Sequence, residues 1–332
     1  MDIDKSSVKN ILIIKVSALG DIIRSFPALV SVAKTFPEAK ISFMIGEQYK
    51  ELLEPCPYVS EIIPYRKRKN TEDLMGFIRF ALEMRSRQFD MVLNLQNTNR
   101  FDILTKLSGA KYKSEVITLE RPMNGVEGVF EVLRTAGLRP KKRYYELWMT
   151  DADRSFAESF LARNGIAATD KIIGLNPAAG WESKQWPVIH YADLAAKLIS
   201  ADGAKIIVFG SGEERGRAEE IQRLAGSPIT IASGETTIRQ AFALIRLCSA
   251  FVSNDSGLMH AAALQDVPTA AIFGSTNPAY HGPAGDGHLT FFRGVDCSPC
   301  SKSVCEMDFE QYYCLTAIPA SEVYKGVRRI MR

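Results

Sequence analysis

The chain is 332 residues long, 46% hydrophobic and 24% charged, with a formal net charge of +3 at pH 7. That length exceeds what one core organises and the composition is globular, so two domains of about 150 residues each are expected. Residues 1–150 hold 24 Lys and Arg against 18 Asp and Glu, and residues 151–332 hold 17 against 20, an imbalance that excludes a dominant nucleic-acid-binding face.

In chain order, strand-like and helix-like segments alternate, the signature of parallel sheets with crossover helices. The first half carries candidate strands at 11–16, 40–45, 61–64, 90–95 and 115–118, with helical spacing over 27–35 and 72–88. The second half repeats the theme with strands near 171–175, 205–209, 229–231, 249–253 and 268–273. Helices near 188–201, 213–225, 236–247 and 257–265 fit between them, and a last helix runs from Ala320 to Met331. A boundary is expected between about 145 and 170, which gives domains at 1–155 and 165–315 and a terminal helix in 316–332. No stretch reaches the ~20 apolar residues that cross a bilayer, and Met1-Asp2-Ile3-Asp4-Lys5-Ser6-Ser7 lacks the apolar core of a secretion signal. A cytoplasmic location is therefore expected.

Two turns carry most of the chemistry. The apolar run Ile11–Val16, interrupted only by Lys15, leads through Ser17-Ala18-Leu19-Gly20-Asp21 into a helix-like segment. Asp21 then sits where a helix begins, at the carboxyl end of a parallel strand, where open α/β sheets bind ligands. It is either a functional carboxylate or a simple N-cap. Ser253-Asn254-Asp255-Ser256-Gly257-Leu258-Met259-His260 follows Ala250-Phe251-Val252 and opens a second helix. There the unpaired N–H groups, Gly257, Ser256 and His260 suit a phosphate or diphosphate. The competing reading is a helix capped by Asp255 or Ser256, with His260 on the surface.

These turns, with Gly174-Leu175-Asn176-Pro177-Ala178-Ala179-Gly180, Lys184-Gln185-Trp186-Pro187 and Phe209-Gly210-Ser211-Gly212 between them, resemble glycosyltransferase family 9, the ADP-heptose:lipopolysaccharide heptosyltransferases, on the heptosyltransferase II side. The motifs come in the family's order and cover nearly the whole chain. The resemblance implies an α/β GT-B fold, two Rossmann-like domains with parallel sheets facing across a cleft, and a terminal helix that crosses back to the first domain. It also implies an inverting transfer of heptose from ADP-heptose to the inner core of lipopolysaccharide, at the cytoplasmic face of the inner membrane.

By the same resemblance, Asp21 is the general base and Lys184 the diphosphate lysine, with Asp255, Ser256, Gly257 and His260 around the donor. Direct contact of Asp255 with phosphate would be repulsive, so Asp255 is assigned to sugar hydroxyls or to holding its loop. Glu214, in preference to Glu213, is placed on the ribose hydroxyls, although a first-turn acid complementing the helix dipole reads the same way. Ser17, Gly20, Arg66, Arg100 and Arg121 are the acceptor candidates. The basic runs Arg66-Lys67-Arg68-Lys69 and Lys141-Lys142-Arg143 face an anionic acceptor or membrane, or simply solubilise loops. The chain departs from family branches that place Thr where Ala178, Ala179 and Gly180 stand, leaving backbone N–H groups for that work.

Cys297-x2-Cys300-x4-Cys305-x8-Cys314 is a candidate structural zinc site, preferred to disulfides for a cytoplasmic protein, while free thiols are the largest single reading because the spacings do not match a standard zinc ribbon. No metal or other cofactor is expected in catalysis, since Lys184 and a helix N-terminus can stabilise the leaving diphosphate. Two competing functions remain. A nicotinamide-dependent oxidoreductase would need the G-x-G-x-x-G that does not follow the first strand. A non-catalytic nucleotide-sugar-binding protein would have little reason to keep both Asp21 and Lys184.

Overall fold

The computed structural model describes residues 3–66, 74–118, 123–140, 142–308 and 310–331. The chain divides into two compact units, Met1–Trp148 and Met149–Arg332, each built on one wholly parallel sheet.

In the first unit the strands are β1 (Asn10–Ile14), β2 (Lys40–Gly46), β3 (Glu61–Tyr65), β4 (Met91–Asn94) and β5 (Tyr112–Lys113). They lie in the order β3-β2-β1-β4-β5. Helices α1 (Leu19–Thr35), α2 (Leu74–Ser86) and α3 (Asn99–Leu107) lie between them in sequence, and α4 (Gly125–Thr135) follows β5. The runs Ile11–Ile14, Ile41–Ile45 and Met91–Leu93 are buried throughout because helices cover both faces of the sheet, which is why they read as continuous apolar strings. Strand order reverses between β1 and β4, and Ile14 pairs with Asn94 at that point. Their carboxyl ends are the place where such a sheet opens to a ligand.

The second unit starts with α5 (Asp151–Arg163) and β6 (Ile172–Asn176). It continues with α6 (Val188–Asp202), β7 (Lys205–Val208), α7 (Arg215–Ala225), β8 (Thr230–Ile231), α8 (Ile238–Ile245) and β9 (Ala250–Asn254). It closes with α9 (Gly257–Leu264), β10 (Thr269–Phe273), α10 (Pro278–His281), β11 (Leu289–Phe292), α11 (Tyr313–Thr316) and α12 (Ala320–Ile330). Its order is β11-β10-β9-β6-β7-β8, so the reversal falls between β6 and β9, where Asn176 pairs with Ser253. The core gathers around Trp186, whose indole N–H donates to the Ile318 carbonyl at 2.9 Å and whose ring meets Tyr191 edge-on at 4.9 Å.

Several expectations shift. The fifth strand is Tyr112–Lys113, and 115–118 is irregular. The β-branched run Val116-Ile117-Thr118 suggested a strand, but the Ile117 backbone bonds both ways to the Asn97 side-chain amide, at 2.8 and 2.9 Å, instead of to a sheet neighbour. Helices α3, α4 and α5 and strand β11 were not foreseen. Helix α1 starts well before residue 27, with Pro27 inside it. The terminal helix α12 falls within the second unit. Val323, Tyr324 and Val327 share the core of Trp186 and Leu315, and a Cβ on Gly326 would meet the Phe291 ring at 2.5 Å.

Candidate active site

The first constellation follows β1. Strand register carries Lys15 inward and the chain turns into α1, whose N-cap is Ala18 without any side-chain capping bond. Asp21 lies in the first turn of that helix and does not cap it, so the simple N-cap reading is set aside. Its carboxylate is instead held by two buried cations: Arg24, one turn on, which donates from Nη2 to Oδ1, and Lys15, with Nζ at 3.7 Å from Oδ2. The Asp21 side chain is about 38% exposed. Burial holds the Lys15 ammonium below the ordinary lysine value, against the pull of Asp21 and with the help of the Arg24 charge.

Two features fix this turn. The Val16 and Ser17 N–H groups both donate to Gln96 Oε1, at 2.9 and 3.2 Å, tying the end of β1 to the loop after β4. At the first residue of α4, Gly125 lets the Arg24 guanidinium lie against the backbone, since a Cβ there would fall on it. Gly20 is inside the first turn of α1. Arg66 directly follows β3 and pairs through two nitrogens with Glu47. Arg100 is exposed in the first turn of α3, after β4. Arg121 and the basic residues Lys67, Arg68, Lys69 and Lys141 lie outside the described residues.

The second constellation gathers at the carboxyl ends of β6, β9 and β10. Lys184 donates to Asp255 Oδ2 at 2.8 Å and lies over the Trp181 ring at 4.5 Å. The Thr276 hydroxyl donates to the same Asp255 oxygen at 2.8 Å. Burial alone would raise the Asp255 carboxyl, but the Lys184 charge, then His260 and the Thr276 hydrogen bond outweigh it and hold it below its ordinary value. Asp255 thus ties its turn to Lys184 and Thr276. His260 is 2% exposed, so it is not a surface histidine.

Ser256 is the N-cap of α9 and accepts from the Met259 N–H at 3.4 Å. Its hydroxyl is fixed in turn by Asn176 Nδ2 at 2.7 Å. Asn254 accepts from the Trp186 N–H and the Tyr191 hydroxyl, both at 3.1 Å, and donates to the Pro177 carbonyl at 2.8 Å. The turn is therefore rigid before any ligand arrives, with Gly257 at the first helical position where N–H groups are unpaired within the helix. Such an end, beside an ammonium, stabilises developing negative charge without reorganisation.

Glu214 stands apart from this group. Its Oε2 accepts the Ser211 N–H at 2.7 Å and completes a capping box with Ser211 before α7, so the helix-start reading describes part of its work. Ala178 and Ala179 are buried, and the Gln185 amide donates to the Ala179 carbonyl at 3.0 Å. Thr276, Asn176, Asn254, Lys15 and Arg24 were missed as site residues. Arg24 was readable as an i,i+3 partner of Asp21, and Thr276 as part of the polar string Ser275-Thr276-Asn277 ending the apolar run of β10.

The cysteine cluster does not form the expected zinc site. All six cysteines are free thiols, with Cys297 and Cys300 exposed and Cys305 and Cys314 half-buried. Burial first, then the neighbouring thiols, push Cys314 up to about 11. Yet the Tyr312 N–H donates to Cys305 Sγ at 3.4 Å, and among the described residues no three His, Cys, Asp or Glu side chains are placed to hold a metal ion.

Residues 77–310 match the family described as glycosyltransferase family 9 (heptosyltransferase). The chain is 27% identical over 315 residues to lipopolysaccharide heptosyltransferase 1 of Pseudomonas aeruginosa, covering 89% of this chain and 87% of that protein. It is 30% identical over 301 residues to lipooligosaccharide heptosyltransferase 2 of Haemophilus influenzae, covering 83% and 86%. Among solved structures, the E. coli ADP-heptose LPS heptosyltransferase II superposes with a TM-score of 0.75 at 23% identity over 97% of this chain and 98% of the other. The two parallel-sheet α/β units are those of the GT-B class. With a family match over more than half its length and both turns in place, the chain belongs to glycosyltransferase family 9 and is a glycosyltransferase.

Proposed function

We propose that this enzyme transfers a heptose from ADP-heptose to the inner core of lipopolysaccharide, with inversion at the anomeric carbon, working at the cytoplasmic face of the inner membrane. The observation that carries this reading is the pre-built anion site, in which the Lys184 ammonium stands 2.8 Å from Asp255 beside the Ser256-capped start of α9. The diphosphate of the donor takes the place facing Lys184 and the α9 N–H groups. As the C1–O bond to the diphosphate breaks, the charge gathers where those groups already point.

Asp21 accepts the proton of the acceptor hydroxyl while the new bond to C1 forms on the opposite face. One displacement inverts the configuration and needs no covalent intermediate. Lys15 and Arg24 hold Asp21 in direction. Glu214 keeps one carboxylate oxygen for the donor ribose while the other caps the Ser211 N–H. Ser17, Gly20, Arg66, Arg100 and Arg121, on the basic half, serve an anionic acceptor.

The test is a screen of purified protein against nucleotide sugars with truncated lipopolysaccharide acceptors, scored by product mass. A product one heptose heavier than the acceptor, formed from ADP-heptose, is expected. Transfer from a different nucleotide sugar would move the enzyme to another donor within the family. Nucleotide-sugar binding without turnover would make it a non-catalytic binder.

A further inference from the structure

A helix that packs on a sheet needs one apolar stripe, yet α2 is apolar on two sides. Phe80, Ala81 and Met84 are buried against the first unit's core. At 100° per residue the opposite face carries Met75 and Leu82 at its centre, with Ile78 beside them, while Leu74 lies on the flank next to Ala81. Met75, Leu82, Ile78 and Leu74 are 67%, 61%, 41% and 73% exposed. The neighbouring helix α3 adds Ile103 and Leu107, 48% and 45% exposed. The two helices are joined on this side, since Arg85 Nη1 donates to the Leu107 carbonyl at 3.4 Å. Contiguous exposed apolar surface of this kind marks an interaction site.

The charges at its border identify the occupant. Arg79 and Arg85 flank the apolar face of α2 on either side, and both are exposed. Over α2 and α3 together, Arg79, Arg85, Arg100 and Lys106 stand against Glu83 and Asp102. Glu83 lies at the far edge of the face and pairs with Arg87 at 3.5 Å, and Asp102 pairs with Lys106 at 2.6 Å. An apolar ridge bordered by arginines is the pattern of a helix lying in a membrane interface, with apolar side chains among acyl chains and guanidinium groups reaching phosphate. At 13 residues α2 is too short to span a bilayer. A second copy of the chain fits less well, because a two-fold seam here would bring like charges together.

We propose that the outward face of α2 and α3 docks on an anionic lipid surface. The proposal rests on the membrane-face location in the function proposed above and deepens it by naming the surface that makes the contact.

The experiment is co-sedimentation of the full chain with vesicles of phosphatidylglycerol and phosphatidylethanolamine, and with pure phosphatidylcholine vesicles. Wild type is expected to pellet with the anionic vesicles, less so as salt rises. The double variant Met75→Glu/Leu82→Glu should lower the partition coefficient at least about tenfold, and Arg79→Ala about fivefold. These positions are exposed, so melting should stay near wild type. If the glutamate pair disturbs folding, Met75→Gln/Leu82→Gln replaces it. A Leu82→Trp variant should show an emission blue shift with anionic vesicles alone. The proposal is overturned if wild type ignores anionic vesicles, if it binds neutral ones equally, or if the variants bind like wild type. It is equally overturned if the protein forms a dimer that the double variant dissociates while vesicle binding is absent.

Discussion

Replacing Lys184 with Met leaves Asp255, 6% exposed in its side chain, without the ammonium that stands 2.8 Å away. At that separation and an effective dielectric constant near 20, the gross attraction is about 6 kcal/mol. Most of it offsets the desolvation of both charges, so the net value of the pair is small. Removing one partner is different, because a buried carboxylate is stranded at a typical loss of about 3–5 kcal/mol. The Thr276 hydroxyl still donates to it, which favours the low end. About 3 kcal/mol corresponds to a fall of roughly 6–12 °C in melting temperature for a unit of this size.

The pH dependence gives the sharper test. In wild type the Asp255 carboxyl is held below its ordinary value, so its stabilising contribution is full above about pH 4 and is lost as pH falls through the lowered value. In Lys184→Met burial remains and the principal cation is gone, so the carboxyl rises above its ordinary value and destabilises the fold increasingly as pH climbs past 4. The gap between the two melting temperatures should be widest near pH 7 and close toward pH 4. Thermal scans of nucleotide-free protein from pH 4 to 7.5 measure it, repeated on a His260→Gln background because that imidazole senses the same carboxylate. A gap constant across that range, or one below about 2 °C at pH 7, would refute the pairing argument.

Asp21→Asn should reduce kcat by about 10²–10⁴ with donor affinity nearly unchanged, and turnover close to wild type would sink its role as base. Gly125→Ala places a methyl group on the Arg24 guanidinium, which must leave Asp21; a loss of about 1–3 kcal/mol in denaturant titration is expected, and unaltered stability would show that Arg24 has room to move. Alkylation at pH 8 with peptide mapping should label Cys297 and Cys300 first and spare Cys56 and Cys248, whose thiols burial pushes up to about 11 and about 12. Protection of Cys297 and Cys300 that a chelator removes would restore the metal reading.

What could be read in advance follows from how each feature is stabilised. Parallel strands covered on both faces are apolar at most positions, so β1, β2, β6, β9 and β10 announce themselves as largely apolar runs, with buried polar residues such as Ser42, Asn176 and Asn254 among them. Strand β5 has two residues and no such run, while Val116-Ile117-Thr118 has the residues of a strand and a side-chain partner instead of one. Lys184 and the Ser253–His260 turn were legible because a strand, a polar turn and a helix follow directly in sequence. The partner that completes the site was not, because Thr276 reaches Asp255 only through the pairing of β9 with β10.

The same distinction explains the two aspartates. Each begins as a carboxylate at a helix start, and sequence offers the same N-cap alternative for both. Three-dimensional partners separate them: Asp255 is sealed between Lys184 and Thr276, whereas Asp21 keeps about 38% of its side chain open between Lys15 and Arg24. A sealed carboxylate can order a loop but cannot take a proton from a substrate hydroxyl without breaking its pairs. A carboxylate that stays partly exposed while two cations hold it can keep its direction and still receive the proton. That difference in access, not the local sequence, is the physical basis for assigning loop order to Asp255 and base catalysis to Asp21.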